Sequence, residues 1–129
     1  MAEALLRDGV HARNLEIAVN SAGIGAVDGK PADPLAVKLM RERDTDISHY
    51  RSAQFSSVVG SQSDLILVMT KQMRDTVVSD YPQLHGRVYR LGHWENTDIS
   101  DPHMRGEAAF RKAFKLIESG VGQWLERIV

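Results

Sequence analysis

The sequence predicts an α/β fold in which helices cover both faces of a parallel β-sheet, giving three layers. Five consecutive apolar residues, two of them β-branched, form the run Leu65-Ile-Leu-Val-Met69. Such a run is typical of a strand buried on both faces of a parallel sheet. From Phe110 to Ile128 apolar residues recur at spacings of three and four, which predicts a long amphipathic helix. Helical and strand-like segments alternate along the chain, as expected of a sheet with helical crossovers.

The composition limits the classes of function. At 129 residues and a formal net charge of −1, the chain predicts a single domain, residues 1–129, that favours neither nucleic acid nor an anionic membrane as partner. No apolar run approaches the ~20 residues of a membrane span, and the N-terminus lacks the layout of a secretory signal, so a cytoplasmic protein is expected. The sequence contains no cysteine, which excludes disulfides, thiolate metal sites and a cysteine nucleophile from this chain.

The first half of the chain predicts two helices and one strand. Met1–Gly9 is rich in helix-forming residues and is expected to end at its glycine, but nothing before it can cap its amides. Leu15–Val19 predicts a short strand, and the small residues of Asn20–Gly25 predict the loop that leaves it. Asp33 followed by Pro34 is a strong helix start, because aspartate caps free amides and proline suits the first helical turn.

The second half predicts the remaining elements of the sheet. After the strand Leu65–Met69, Thr70 can cap a helix that ends near Tyr81, where the next residue is a proline. Arg87–Leu91 predicts another short strand, and the final helix is expected from Glu107 to Ile128. A parallel sheet of this kind begins with a strand whose crossover helix packs back on it. Here the crossover helix comes first, so we expect the strand that feeds it to be absent from the given sequence.

The loop before the final helix holds the strongest candidate for proton transfer. In it Asp101 precedes Pro102, and proline restrains both its own backbone and that of the residue before it. A carboxylate held in this way suits a general acid, although Asp-Pro is also an ordinary way to end a turn.

Three other site types are less well supported by the residues. His93, Asp101 and His103 do not have the tight spacing of a metal site, so no metal is expected. A phospho-acceptor receiver domain needs an acidic residue at the carboxyl end of a central strand, and none follows Met69. A dinucleotide-binding loop is also not supported, because Gly23-Ile-Gly25 lacks the third glycine and a following helix start.

Several segments together resemble the low-molecular-weight protein tyrosine phosphatases, over nearly the whole chain. The segments are Ser21-Ala-Gly23 with Gly25, Gly29-Lys-Pro-Ala-Asp-Pro34, Arg51-Ser-Ala-Gln54, Asp64-Leu-Ile-Leu-Val-Met69, Gly92-His-Trp94 and Ile99-Ser-Asp-Pro102. Their spacing toward Glu107 and Trp124 is most similar to the bacterial branch that dephosphorylates the tyrosine kinases of exopolysaccharide production. The resemblance implies the three-layer phosphatase fold, entered one strand late, and a reaction that needs no metal or organic cofactor.

The resemblance also implies a mechanism that this chain carries only in part. In the family a strand and a Cys-x5-Arg-Ser-Pro loop directly precede the first helix, and both are missing from this sequence. A thiolate from that loop attacks phosphorus while the arginine clamps the phosphoryl oxygens. An aspartate then protonates the departing tyrosine phenolate, and the resemblance assigns this role to Asp101.

Four further positions are assigned by the same resemblance. Ser21 is similar to the serine that hydrogen-bonds the phosphate loop, although a serine in this place is also an ordinary turn former. Tyr50 stands where the family usually has a histidine that supports that loop. His103 replaces the tyrosine that walls the substrate pocket, and the opposite wall falls near Ala26 or Val27.

The sequence therefore predicts a phosphatase that acts on phosphotyrosine in a protein, and by resemblance this protein is a bacterial tyrosine kinase. The chain as given is expected to be inactive. Either a start or boundary was placed late in an ordinary phosphatase, or the product is a non-catalytic binding or regulatory protein. In the family the absent strand lies between the strands that correspond to Leu15–Val19 and Leu65–Met69. These bare edges are expected to pair with each other, to take a strand from another molecule, or to remain in water, which predicts lower stability and self-association.

Overall fold

The computed structural model describes residues 1–24 and 28–128. Over these ranges the elements are five helices, a 3₁₀ turn and two strands, in the order α1 (Ala2–Ala12), α2 (Pro34–Arg41), α3 (Ser57–Ser61), β1 (Ile66–Val68), α4 (Lys71–Asp80), the 3₁₀ turn (Pro82–Leu84), β2 (Val88–Arg90) and α5 (Glu107–Arg127). β1 and β2 are parallel, with Ile66 opposite Val88. The predicted α/β class is confirmed. Within these residues, no helix is long and apolar enough to cross a membrane.

The helix boundaries follow the capping signals closely. The Asp33 carboxylate accepts a hydrogen bond from the Leu35 amide at 2.9 Å and caps α2. The Thr70 hydroxyl oxygen accepts one from the Met73 amide at 3.1 Å and caps α4, which ends before Tyr81 as predicted. These starts are correct because a cap and the amides it satisfies lie within one turn of each other.

The long helix α5 buries the predicted apolar stripe. Its buried residues are Phe110, Ala113, Phe114, Ile117, Gly120, Val121, Trp124 and Leu125. At Gly120 the helix passes so close to the end of β2 that an added Cβ would lie 2.8 Å from the Leu91 carbonyl oxygen. α5 therefore lies directly on the sheet and forms the centre of the main core.

The prediction that Gly9 ends the first helix is wrong, because α1 continues to Ala12. A Cβ at Gly9 would lie 2.3 Å from a Leu125 methyl carbon, so glycine allows α1 to pack closely against α5. The chain turns instead beyond Ala12, where Asn14 has a positive φ of 55°. The glycine serves helix packing and not helix termination.

The prediction of a strand at Leu15–Val19 is also wrong. In the described chain these residues form no ladder, and no backbone hydrogen bond joins them to β1. The Leu15 amide donates to the Val10 carbonyl at 3.0 Å, and the Arg7 guanidinium donates to the Val19 carbonyl at 2.6 Å. The apolar pattern is that of a strand, but a strand exists only where a neighbour supplies the other half of each hydrogen bond.

The burial predicted for Leu65–Met69 is reached only in part. Val68 is buried, whereas the other residues of the run are half-buried. Within the described residues β1 has one strand neighbour, β2, so its second edge is left without a ladder. A strand at the edge of a sheet loses the cover that a second neighbouring strand and its crossover helix would provide.

Candidate active site

The loop from Asp98 to Gly106, called the acid loop below, starts at the carboxyl edge of the sheet. The Asp98 carboxylate accepts hydrogen bonds from the Arg90 guanidinium at 2.8 Å and from the Lys71 amide at 3.0 Å. These two hydrogen bonds hold the pKa of the Asp98 carboxyl below its usual value, and the bond from Arg90 has the larger effect. Ile99 is buried, and its amide donates to the Met69 carbonyl at 2.9 Å. The loop thus leaves the sheet at the edge where α/β folds place their ligand sites.

Asp101 is exposed to solvent, and its carboxylate is hydrogen-bonded within its own loop. One of its carboxylate oxygens accepts a hydrogen bond from the His103 amide at 2.9 Å. The Arg105 amide donates to the Pro102 carbonyl at 3.0 Å, and Met104 has a positive φ of 60°, so the chain turns tightly after the Asp-Pro pair. The result is a solvent-facing carboxyl group held by its own loop, a geometry that allows proton exchange with a bound group.

His103 lies at the start of α2. Its Nδ1 is 3.5 Å from the Asp33 Oδ2, and 65% of its side chain is exposed. The pocket wall predicted opposite it, at Ala26 or Val27, lies outside the described residues. Of the two predicted pocket walls, His103 lies within the described residues, where its side chain contacts Asp33.

Ser21 is bound to the first turn of α1. Its hydroxyl donates to a Glu3 carboxylate oxygen at 2.9 Å, and the other oxygen of Glu3 accepts from the Arg7 guanidinium at 2.8 Å. Tyr50 is half-buried, and its side chain packs against the apolar cluster between α2 and α5. Its carbonyl accepts from the Arg51 guanidinium at 2.6 Å.

The structure brings Ser21 and Tyr50 to one cleft but does not bring them to Asp101. The cleft has a volume of about 450 Å³ and is lined by α1, by residues 20–21 and by residues 45–51. Neither Asp101 nor His103 lines this cleft. Among the described residues, no hydrogen bond or ion pair joins Ser21 or Tyr50 to either of them. Two separate groups of candidate residues therefore result, one around α1 and one in the acid loop.

Residues that were not predicted to belong to the site contact both groups. Glu3 and Arg7 bind Ser21 and Val19, and their spacing of four on a helix is a signal that could have been read. Asp33 was identified as a cap, but its second oxygen contacts His103, which lies far along the chain. Among residues 1–24 and 28–128, no three His, Asp or Glu side chains converge in a way that could hold a metal ion.

Comparison with known proteins identifies the class of protein. A family model described as low molecular weight phosphotyrosine protein phosphatase matches residues 1–129, so the chain belongs to this family and the predicted resemblance is confirmed. The chain is 42% identical to a probable low molecular weight protein-tyrosine-phosphatase, EpsP, of Ralstonia nicotianae, over 99% of this chain and 86% of the relative. It is 32% identical to the low molecular weight protein-tyrosine-phosphatase Wzb of Escherichia coli K12, over 88% of this chain and 78% of the relative.

Solved structures give the same result. Vibrio vulnificus Wzb in complex with benzylphosphonate matches with a TM-score of 0.89 and 31% identity, over 98% of this chain and 88% of that chain. Wzb from Escherichia coli K30 in complex with sulphate matches with a TM-score of 0.91 and 28% identity, over 99% of this chain and 87% of that chain. The fold is that of the phosphatase family, whose activity is protein-tyrosine-phosphate hydrolysis, and the present chain carries no cysteine.

Proposed function

We propose that this chain is a phosphotyrosine phosphatase domain in which Asp101 is the general acid. The observation that carries the proposal is the exposed Asp101 carboxylate, held by the His103 amide in a loop anchored to the carboxyl edge of the sheet. The leaving group in phosphotyrosine hydrolysis is a phenolate whose conjugate acid has a pKa of about 10, so a positioned proton donor speeds its departure. The solved Wzb complex with benzylphosphonate supports an aryl phosphate as the substrate class.

The chain itself is inactive in this proposal, because the reaction starts with attack by a thiolate on phosphorus. That attack displaces the phenolate, which takes the proton of Asp101, and leaves a phosphocysteine for water to hydrolyse. No metal or organic cofactor takes part. The sequence has no cysteine, and a general acid alone contributes about 10²–10⁴-fold, and only to a reaction that has a nucleophile.

The other candidate residues take supporting roles in the same proposal. His103 stacks on the phenyl ring of the substrate from one side, and Val27 is assigned to the other side. Ser21 and Tyr50 support the phosphate loop in a form of the domain that contains one. In this structure the Ser21 hydroxyl donates to Glu3 instead. This contact gives the Ser21 hydroxyl an acceptor within the first turn of α1.

The proposed partner is phosphotyrosine on a protein, namely a bacterial tyrosine kinase of exopolysaccharide production, in the cytoplasm. Two observations support the partner: the relatives are bacterial protein-tyrosine phosphatases, EpsP and Wzb, and the net charge of −1 gives no reason to expect nucleic acid.

A non-catalytic binding or regulatory role is the alternative. The absence of cysteine from the sequence is the reason to consider it, whereas the loop that carries Asp101, anchored at Ile99, is retained as an active enzyme would need it. A regulatory protein would bind a phosphotyrosine peptide without hydrolysing it. Measured affinity for phosphorylated against unphosphorylated peptide separates this role from that of an incomplete enzyme.

Turnover of p-nitrophenyl phosphate tests the main proposal. The purified chain is expected to show no hydrolysis above the rate of a buffer control, because it offers no thiolate. A form extended at its N-terminus by a family strand and its Cys-x5-Arg-Ser-Pro loop is expected to gain activity that a Cys→Ser version of the same extension lacks. Enzymatic turnover by the unextended chain, retained after a second purification, would contradict the proposal.

We also propose that a second copy covers the open edge of β1. Towards β2, the Ile66 amide donates to the Arg87 carbonyl and the Val68 carbonyl accepts from the Leu91 amide. Because alternate residues of a strand point their peptide groups to opposite edges, the N–H and C=O of Leu67 face away from β2. Among the described residues, neither group has another backbone partner. An open sheet edge is a template for pairing with another chain.

Light scattering over a range of concentrations tests this self-association. The mean mass is expected to rise from monomer towards dimer as the concentration increases, and the exchange of the Leu67 amide is expected to slow in parallel. A protein that remains monomeric throughout, with a Leu67 amide already as protected as the amides of α5, would show that the edge needs no second copy.

A further inference from the structure

We propose that Asp33 is a positioning residue for Asp101 and acts through His103. The inference rests on the proposed role of Asp101 as the acid. Asp33 uses its two carboxylate oxygens for two different contacts. Oδ1 accepts the Leu35 amide at 2.9 Å and caps α2, while Oδ2 lies 3.5 Å from His103 Nδ1. A single side chain thus joins the start of α2 to the acid loop, which lies far away in sequence.

His103 transmits this contact to Asp101. Its ring lies against Asp33, and its backbone amide donates to the Asp101 carboxylate at 2.9 Å. Pro102, between the two residues, fixes its own φ and so limits the ways in which the turn can rearrange. If the imidazole moves away from Asp33, the amide that holds the Asp101 carboxylate moves with the same residue.

The contact matters because the acid loop has few others. Its start is fixed by Asp98 and by Ile99, and its end by Glu107, which forms an ion pair with Lys38 of α2 at 2.7 Å. Between these points, residues 100–105 make one polar contact to another part of the described chain, that of the His103 side chain with Asp33. This contact is therefore the tether at the middle of the loop, beside the candidate acid.

The effect is expected to be local. Both partners are partly exposed, with 65% of the His103 side chain and 29% of the Asp33 side chain accessible. Exposed pairs of this kind add little to global stability. Breaking one is therefore expected to change the ratio of held to released loop conformations by about two- to fivefold. That size is too small to alter the fold but large enough to change how often the Asp101 carboxylate is held in place.

Amide hydrogen exchange of the chain as it exists measures the tether directly, with the His103 amide as reporter. Asp33→Ser keeps a good helix cap but cannot reach His103, and His103→Gln leaves the cap untouched. In both variants the His103 amide is expected to exchange about two- to fivefold faster, with the carboxyl ¹³C signal of Asp101 shifted, while the amides of Val37 to Leu39 stay unchanged. His103→Lys places an ammonium group opposite Asp33 and is expected to restore most of the protection.

The controls separate positioning from a merely structural role. If Asp33→Ser also loosens α2, His103→Gln decides, because it leaves the capping oxygen in place. An unchanged His103 amide and Asp101 signal in His103→Gln would overturn the proposal, as would a His103→Lys variant no better protected than His103→Gln. Hydrogen exchange measures the conformation of the loop and does not require a nucleophile. Its outcome is therefore independent of the turnover test of Asp101 as an acid.

Discussion

Asp101→Asn is expected to lower the turnover of phenyl phosphate by about 10²–10⁴-fold in a form of this domain that carries the Cys-x5-Arg-Ser-Pro loop. Asparagine has nearly the same shape and keeps an oxygen for the His103 amide, which donates to Asp101 at 2.9 Å. It has no acidic proton to give to the leaving phenolate. The loss should therefore appear in kcat, while inhibition by inorganic phosphate stays nearly constant.

Two comparisons make this expectation specific. Substrates with a more acidic leaving phenol need less protonation, so their turnover should fall by a smaller factor in Asp101→Asn. Ser100→Ala is the neighbouring control, because Ser100 is exposed and directly precedes Asp101. An equal loss for all leaving groups, or a comparable loss in Ser100→Ala, would assign Asp101 a structural role instead.

Trp124→Ala is expected to lower the free energy of unfolding by about 3–5 kcal/mol. Trp124 is 6% exposed in the core between α5 and the sheet, and its indole N–H donates to the Leu91 carbonyl at 3.0 Å. The substitution leaves a large cavity next to Tyr89, whose ring centre is 5.6 Å from that of Trp124. Since small domains are stable by only about 5–15 kcal/mol in total, this loss is a large part of the free energy of unfolding.

Urea unfolding followed by circular dichroism measures this loss. The Trp124→Phe variant separates the contribution of packing from that of the hydrogen bond to Leu91. Phenylalanine fills much of the space but cannot donate to Leu91, so it is expected to cost only about 1–3 kcal/mol for the unpaired carbonyl. If Trp124→Ala costs less than Trp124→Phe, or leaves the unfolding midpoint unchanged, Trp124 is not the anchor that its burial indicates.

The sequence was most informative where a structural signal and its consequence lie within a few residues. Asp33 and Thr70 start α2 and α4 as predicted because a cap satisfies amides in its own first turn. The apolar spacing from Phe110 to Leu125 located the buried face of α5 because helix geometry alone places those residues together. The Asp-Pro loop was found in the same way, since its motif is contiguous in the chain.

The sequence was least informative where a segment depends on its neighbours. Leu15–Val19 has the residues of a strand but forms none, because no described strand lies beside it to complete a ladder. Gly9 is a typical helix terminator, yet α1 runs through it because glycine allows close contact with Leu125. In both cases the deciding partner lies elsewhere in the fold.

For the candidate site, the sequence by itself determined the family, the acid loop and the absence of a cysteine, because each can be read from contiguous residues or from composition. Only the tertiary structure decided that the Ser21 hydroxyl donates to Glu3 and that His103 lies against Asp33. These contacts, at 2.9 Å and 3.5 Å, join residues far apart in the chain. They form only after the packing of α1, α2 and α5 has brought the partners together.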